Sequence, residues 1–306
     1  MKGGTLHAIS FDVEEHFQVA NLRHAFPRAS WERQPSRLSI GMDRILSALE
    51  KHRAGATFFF LGWIAERHPA LVRRCLDAGH EIASHGYDHA FLQDLGREGL
   101  AEDLTKTERA LKSAGAPFPR GFRASTFTLT RATWWAFDEL VARGYRYDSS
   151  VHPVRHPTYG VPDFEPGISE VATEKGKIVE FPVTTWRVMG RNVPVGGGGY
   201  FRLLPGFLPR SVLAKLDQEG RPGALYLHPW ELDPDQPRVE APRLARFRHY
   251  VNLDKTLPRL EALLARFRFG SMESALAEQG TPRPTAATPD PPGSPPSAPP
   301  SLGRDR

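Results

Sequence analysis

One cysteine, Cys75, is all that these 306 residues contain, so no disulfide can form within the chain and the redox compartment stays open. It sits in the helix-like stretch ALVRRCLDAGH and reads as a small core residue rather than a nucleophile. Long apolar runs are also missing. No window approaches the roughly 18 apolar residues of a membrane-crossing helix, so no span is expected. The opening MKGGTLHAISFDVEEHF lacks the apolar run and small-residue cleavage site of an export signal, and the chain is expected to be cytoplasmic. Blocks of one charge are absent too. Lys and Arg number 40 against 35 acids, a net charge of +5, and they are scattered. Without a basic patch, nucleic acid is not an expected partner.

What is present is the composition of a globular protein, 40% hydrophobic and 25% charged, with length enough for a sizeable core. The last stretch, residues 281–306, departs from it. Nine of its 26 residues are proline and almost none is apolar, which predicts a disordered, proline-rich tail behind a catalytic body of residues 1–280. In the body, short apolar runs alternate with helical periodicity. Strands are expected over 6–11, 56–61, 81–84, 121–125, 145–148, 179–183 and 224–227. Leu38, Met42, Ile45, Leu46 and Leu49 share one helix face, with Ser36 as its cap; TRATWWAFDELVARG predicts a helix ending on Gly144, and NLDKTLPRLEALLARF another, with Pro258 either in its first turn or kinking it. This alternation predicts an α/β fold built on a parallel sheet or barrel.

The reactive side chains gather at the C-terminal ends of those strands, where such folds build their sites. Asp12 and Glu14 follow the first, His85 and His89 the third, then come Arg123, Asp148 and His228. The spacing of His85 and His89 puts both imidazoles on one face if the segment is helical. Two imidazoles and a carboxylate make an open, zinc-type site. In extended chain Asp12 and Glu14 point to one side, and Val13 and Glu15 to the other. One acid can then ligate an ion while its neighbour takes a proton. Tyr200 and Trp230 are candidates to stack on a ring, and Gly196–Gly199 reads as a flexible loop near the site.

The ordered set SFDVE, SHGYDH, GFRAS, YDSS and LHP resembles the motifs of the polysaccharide deacetylase family, carbohydrate esterase family 4, over about residues 5–270. The segments GGGGYFRLLP, LHPWELDPDQPRV and RFRHYVNLDKT further resemble its exopolysaccharide and exosortase-associated branch. The resemblance implies a distorted (β/α) barrel of about seven parallel strands that removes N-acetyl groups from a polysaccharide or oligosaccharide, using a divalent metal, Zn²⁺ or another such as Co²⁺. It implies Asp12 as base, His85 and His89 as metal ligands, Arg123 as the anchor of the base, His228 as general acid and Asp148 as the acid that tunes it. Glu14 becomes the third metal ligand on the alternation argument, with Glu15 as the alternative. Two features depart from the commoner pattern: Val13 separates the two acids, and Ala124-Ser125 replaces a proline pair. A cyclic-amide hydrolase of allantoinase type and a non-catalytic sugar-binding homologue are the rival readings.

Overall fold

The computed structural model describes residues 3–156, 158–280 and 283–284. Its strands are β1 (Leu6–Val13), β2 (Thr57–Phe60), β3 (Glu81–Ser84), β4 (Gly121–Phe122), β5 (Tyr147–Asp148), β6 (Ser169–Thr173), β7 (Gly176–Glu180), β8 (Thr185–Val188), β9 (Arg191–Pro194), β10 (Ala224–Leu227), β11 (Arg268–Gly270) and β12 (Arg283–Pro284). The helices are α1 (Leu38–His52), α2 (Gly62–Arg67), α3 (Pro69–Asp77), α4 (Leu92–Ser113), α5 (Ala136–Arg143), α6 (Gly198–Leu203), α7 (Phe207–Gln218), α8 (Arg243–Tyr250), α9 (Thr256–Arg266) and α10 (Met272–Gln279). The sheet runs β10-β1-β2-β3-β4-β5-β7-β6-β12, with β11 on the side of β1. From β10 to β7 every pairing is parallel, which gives the seven parallel strands expected.

The distortion of the barrel has a local cause. Strand β7 does not pair with β10; the chain after β7 closes the gap instead. The Thr184 amide donates to the Ala224 carbonyl at 2.9 Å, and the Tyr226 amide to Gly196 at 2.8 Å. A side chain on Gly197 would stand 2.1 Å from the Tyr226 carbonyl, so only glycine allows that approach. The glycine run is thus a close-packed seam rather than the flexible loop expected, and Gly196, Gly197 and Gly198 are buried.

Strand β1 is buried on both faces, as a central parallel strand should be. Its outward set, Ile9, Phe11 and Val13, packs in one cluster with Phe58, Phe60 and the α1 residues Met42, Ile45 and Leu49. Each of these α1 side chains is fully buried, worth roughly 1.5–3 kcal/mol of transfer from water. The inward set begins with Ala8, which joins Phe59, Ala83, Tyr147 and Ala224 over Met272 and Ala275 of α10. Helix α10 therefore plugs the N-terminal mouth of the barrel, and the polar inward residues above it, Ser10 and Asp12, face the other end.

Several expectations meet corrections. Ser36 does not cap α1; its hydroxyl donates to Glu15. The pairs β6–β7 and β8–β9 are antiparallel hairpins; β7 overlaps the strand expected over 179–183 but lies a few residues earlier, while β6, β8 and β9 have no counterpart among the expected strands. Of the tail over 281–306 only 283–284 are described, and they pair in parallel with Ser169 and Glu170; the rest of that expectation lies outside the described residues. No helix among the described residues is long and apolar enough to cross a membrane.

Candidate active site

Ser10, Asp12 and Arg123 form a polar column on the barrel axis. Arg123 is fully buried, and its guanidinium lies 4.2 Å over the ring of Phe59. Its Nη1 donates to Asp12 Oδ1 at 2.5 Å and to Ser10 Oγ at 2.9 Å, while Nε and Nη2 donate to the Ser149 carbonyl and hydroxyl. A buried cation needs such saturation, since each unmet donor would carry its full desolvation cost. The arrangement fixes Asp12 by one oxygen and turns Oδ2 toward the cavity, where His228 Nε2 stands 3.9 Å away.

Beside it the structure brings Glu14, His85 and His89 together, with one ligand atom from each lying within 4.8 Å of the others. His85 Nδ1 donates to the Arg123 carbonyl at 2.8 Å, which leaves its Nε2 lone pair for an ion. Burial pushes that imidazole down to about 4, so it is neutral, as a ligand must be. Burial alone would raise Glu14, but His89 and His228 outweigh it and hold the carboxyl at about 2. Glu14 Oε2 lies 2.8 Å from His89 Nε2 yet makes no hydrogen bond of acceptable geometry. Converging donor atoms, two of nitrogen and one of oxygen, fit a divalent cation of the zinc type. Glu15, past the end of β1, points elsewhere, bound to the Ser36 hydroxyl and the Arg37 amide.

The two histidines do not share a helical face, contrary to the spacing argument. Residues 85–90 form a loop. Gly86 (φ 74°) and His89 (φ 53°) both take the left-handed conformation, and the turn rather than a helix makes the rings converge at 5.4 Å. Asp103 of α4 braces it by accepting the Tyr87 amide at 2.9 Å.

His228 occupies the opposite wall. Its Nδ1 donates to Glu231 Oε2 at 2.8 Å, and the same oxygen accepts the His228 amide at 2.9 Å. Glu231 is fully buried, and its other oxygen takes Arg202 Nε at 2.6 Å. Arg202 in turn donates to the carbonyls of Arg248, His249 and Val251. Burial opposes a charged His228 ring, but Glu231, Glu14 and Asp12 together raise it to about 9. The Trp230 indole donates to Glu14 Oε1 at 3.1 Å, and its faces stack on His228 (5.2 Å) and His249 (4.3 Å). Trp230 and Tyr200, the two expected ring-stacking candidates, both line the cavity.

Asp148 requires a correction. It is fully buried, but its oxygens accept the Ser150 hydroxyl at 2.7 Å and the Ser150 amide at 2.8 Å, and it hydrogen-bonds Glu180. Ser150 then receives the Ala124 amide, so Asp148 supports the backbone next to Arg123. The partner of His228 is Glu231. A signal for it exists in the sequence: Pro at the first position and Glu at the third after His228 is capping-box spacing, and that box forms here. Arg202 carries no comparable signal.

Asp12, Glu14, His85, His89, Arg202 and His228 line one cavity of about 410 Å³. Residues 35–145 match the polysaccharide deacetylase family, and residues 149–277 match a domain of unknown function, DUF3473. A chitooligosaccharide deacetylase of Sinorhizobium fredii is 37% identical over 70 residues, which are 23% of this chain and 33% of that protein. The peptidoglycan-N-acetylglucosamine deacetylase PgdA of Listeria monocytogenes is 34% identical over 79 residues, 26% of this chain and 17% of that protein. The chain thus matches a third or less of the length of either relative. A solved Mycobacterium smegmatis structure that carries the polysaccharide deacetylase name superposes with a TM-score of 0.61 at 23% identity, over 94% of this chain and 96% of that one; the two share a fold.

Proposed function

We propose that this chain, which carries a polysaccharide deacetylase domain, is a metal-dependent hydrolase removing N-acetyl groups from a sugar polymer or oligosaccharide. One observation carries the reading. A Glu–His–His cradle, a carboxylate with one oxygen free, and a histidine backed by a buried carboxylate meet in a single cavity. Relatives named for chitooligosaccharide and peptidoglycan deacetylation support an N-acetylated sugar as the class. A bacterial exopolysaccharide is the glycan proposed, on the resemblance of GGGGYFRLLP and RFRHYVNLDKT to that branch.

A divalent cation held by Glu14, His85 and His89 would supply Lewis acidity toward the amide carbonyl and acidify a water. Asp12 Oδ2 takes a proton from that water as its oxygen bonds to the acyl carbon. His228, charged and with Nδ1–H anchored on Glu231, donates from Nε2 to the sugar nitrogen. Protonation lets the C–N bond break instead of the new C–O bond, releasing acetate and the free amine. Glu231 keeps His228 in the proton-loaded state, and Arg202 keeps Glu231 ionised in spite of its burial. Arg123 removes the orientational freedom of Asp12. A cavity of about 410 Å³ exceeds what a compact cyclic imide fills and supports a sugar chain over that rival.

The test is acetate release from N-acetylated oligosaccharides, with and without chelator. Release that stops on chelation and returns with added Zn²⁺ or Co²⁺ is expected. Acetate output indifferent to chelation, or none from any sugar, overturns the reading.

A further inference from the structure

Of the charged side chains that line the cavity, most are already matched. Asp12 is held by Arg123, Glu14 belongs to the Glu–His–His cradle, and Arg202 is neutralised by Glu231. Two cations are left over. Arg23 follows the short turn Ala20–Leu22 after β1, and Arg248 lies in α8. Both are exposed, and neither guanidinium has a carboxylate within ion-pair distance among the described residues. No acid in the lining is free to answer them.

Both sit where a glycan would pass. Arg23 is laid 5.0 Å over the ring of Phe91, in the segment that follows the His85–His89 turn. That contact restricts the side chain while leaving its donor edge exposed. The charge of Arg248 reaches His156 and Tyr159, whose rings stack at 3.8 Å and 16° on the cavity wall. The reacting amide must lie at Asp12 and His228, in the lining of the same cavity. Helix α8 packs against the Ala20–Leu22 turn, so a sugar chain bound in the cavity meets two neighbouring free guanidinium groups. Guanidinium groups pair with carboxylate and phosphate oxygens in bidentate geometry, and an exposed hydroxyl gives them no such partner.

We infer, on the basis of the deacetylase reading, that the substrate is an anionic glycan whose acidic substituents neighbour the N-acetylated sugar and are bound by Arg23 and Arg248. Carboxylate on a uronic acid and phosphate on a sugar hydroxyl share the required chemistry. The inference concerns which glycan is accepted, not how its amide is cut.

The test compares three oligosaccharides of equal length, each with an internal N-acetylhexosamine: one neutral, one carrying uronic-acid neighbours, and one with phosphorylated neighbours. Acetate release should favour an acidic form by roughly fivefold to tenfold in kcat/KM at low salt, about what one or two solvent-facing charge contacts supply. The preference should shrink as salt rises. R23A and R248A should each lower the acidic-to-neutral ratio, mainly through KM, and the double variant should bring it near one. The acidic form with the larger ratio identifies the substituent. A ratio near one in the unaltered protein, or a ratio that survives R23A/R248A, overturns the inference while leaving deacetylation intact. Equilibrium binding of the same three sugars separates the two ideas. Binding that prefers the acidic sugars and depends on both arginines, with no acetate released, would refute the deacetylase reading and leave anionic recognition standing.

Discussion

Glu231→Gln separates the observed partner of His228 from the one expected at the sequence level. The glutamine keeps the shape of the side chain but has only one acceptor atom for two strong donors. Arg202 Nε, charged and 2.6 Å away, will hold the amide oxygen, which turns the NH₂ toward His228 Nδ1. Two donors cannot face each other, so the ring loses its proton at Nδ1 and with it the charged, proton-loaded state that Glu231 sustains at about 9. Stability should fall between the roughly 1.5–3 kcal/mol of a hydrogen bond to a charged group and the roughly 3–5 kcal/mol of a broken buried pair, because three carbonyls still hold Arg202. Turnover should fall by roughly 10²–10⁴-fold, the range for losing a general acid. Acetate release across pH is the assay. An acid must be protonated to work, so its pKa sets the alkaline limb, and Glu231→Gln should move that limb to lower pH. Asp148→Asn should leave the limb in place, since Asp148 hydrogen-bonds Ser150 and Glu180 rather than His228. Should Glu231→Gln keep the limb and Asp148→Asn shift it, the assignment of Glu231 is wrong.

Three other expectations follow from the geometry. Glu14→Ala, His85→Ala and His89→Ala should each lose bound metal in elemental analysis while Glu15→Ala keeps it; full metal content in the first three would refute the cradle. Gly41 of α1 faces the Pro229 carbonyl so closely that a Cβ would stand 2.0 Å from its oxygen. Gly41→Ala should cost roughly 1–3 kcal/mol in melting experiments, as overpacking does, and depress acetate release by moving the segment that carries His228; an unchanged protein would show that the approach is not tight. Burial raises both Asp148 and Glu180 above their ordinary range. For carboxyls raised in the folded state, the associated stability is present at pH below the unfolded values and is lost as pH climbs through the raised ones. Glu180→Gln, which keeps a donor for Asp148 and removes one titration, should flatten the fall in melting temperature on the alkaline side; a slope equal to that of the unaltered protein would contradict this.

Much of the site could be read from the chain because strand geometry constrains it. Asp12 and Glu14 face the cavity and Glu15 does not, as expected, although β1 ends at Val13, and Arg123 and His228 sit at strand ends in sequence as they do in space. What failed were inferences from spacing without knowledge of backbone conformation. His85 and His89 are four apart, yet they converge through a left-handed turn that periodicity cannot report. Asp148 ends its strand as expected, but the direction of a side chain within a crowded interior depends on neighbours such as Glu180, far off in sequence. Arg202 was invisible for the same reason: its partners, Glu231 and the carbonyls of 248, 249 and 251, are distant in the chain. Strands β8 and β9 bury too few side chains to leave a strong alternating pattern.

The barrel interior explains why catalysis and folding draw on the same residues. A column holding Arg123 and Asp12 at its centre gives up apolar burial, and a buried ion pair seldom repays its desolvation by attraction alone. Here the deficit is reduced by a full set of acceptors for Arg123, from Ser10, Asp12 and Ser149, while Asp148 and Ser150 fix the adjoining backbone. That set leaves a single oxygen, Asp12 Oδ2, facing the cavity. The same asymmetry appears across the cavity, where Glu231, itself held by Arg202, occupies Nδ1 of His228 and leaves Nε2 exposed to the reactants. Each side therefore offers one atom and buries its support. Asp12→Asn tests this reasoning on the first side. The amide oxygen can still accept from Arg123, which turns the NH₂ toward the cavity, so the fold and the metal should survive while the proton acceptor is gone. Turnover should drop by roughly 10²–10⁴-fold with metal content unchanged; near-normal acetate release would mean that another group takes the proton.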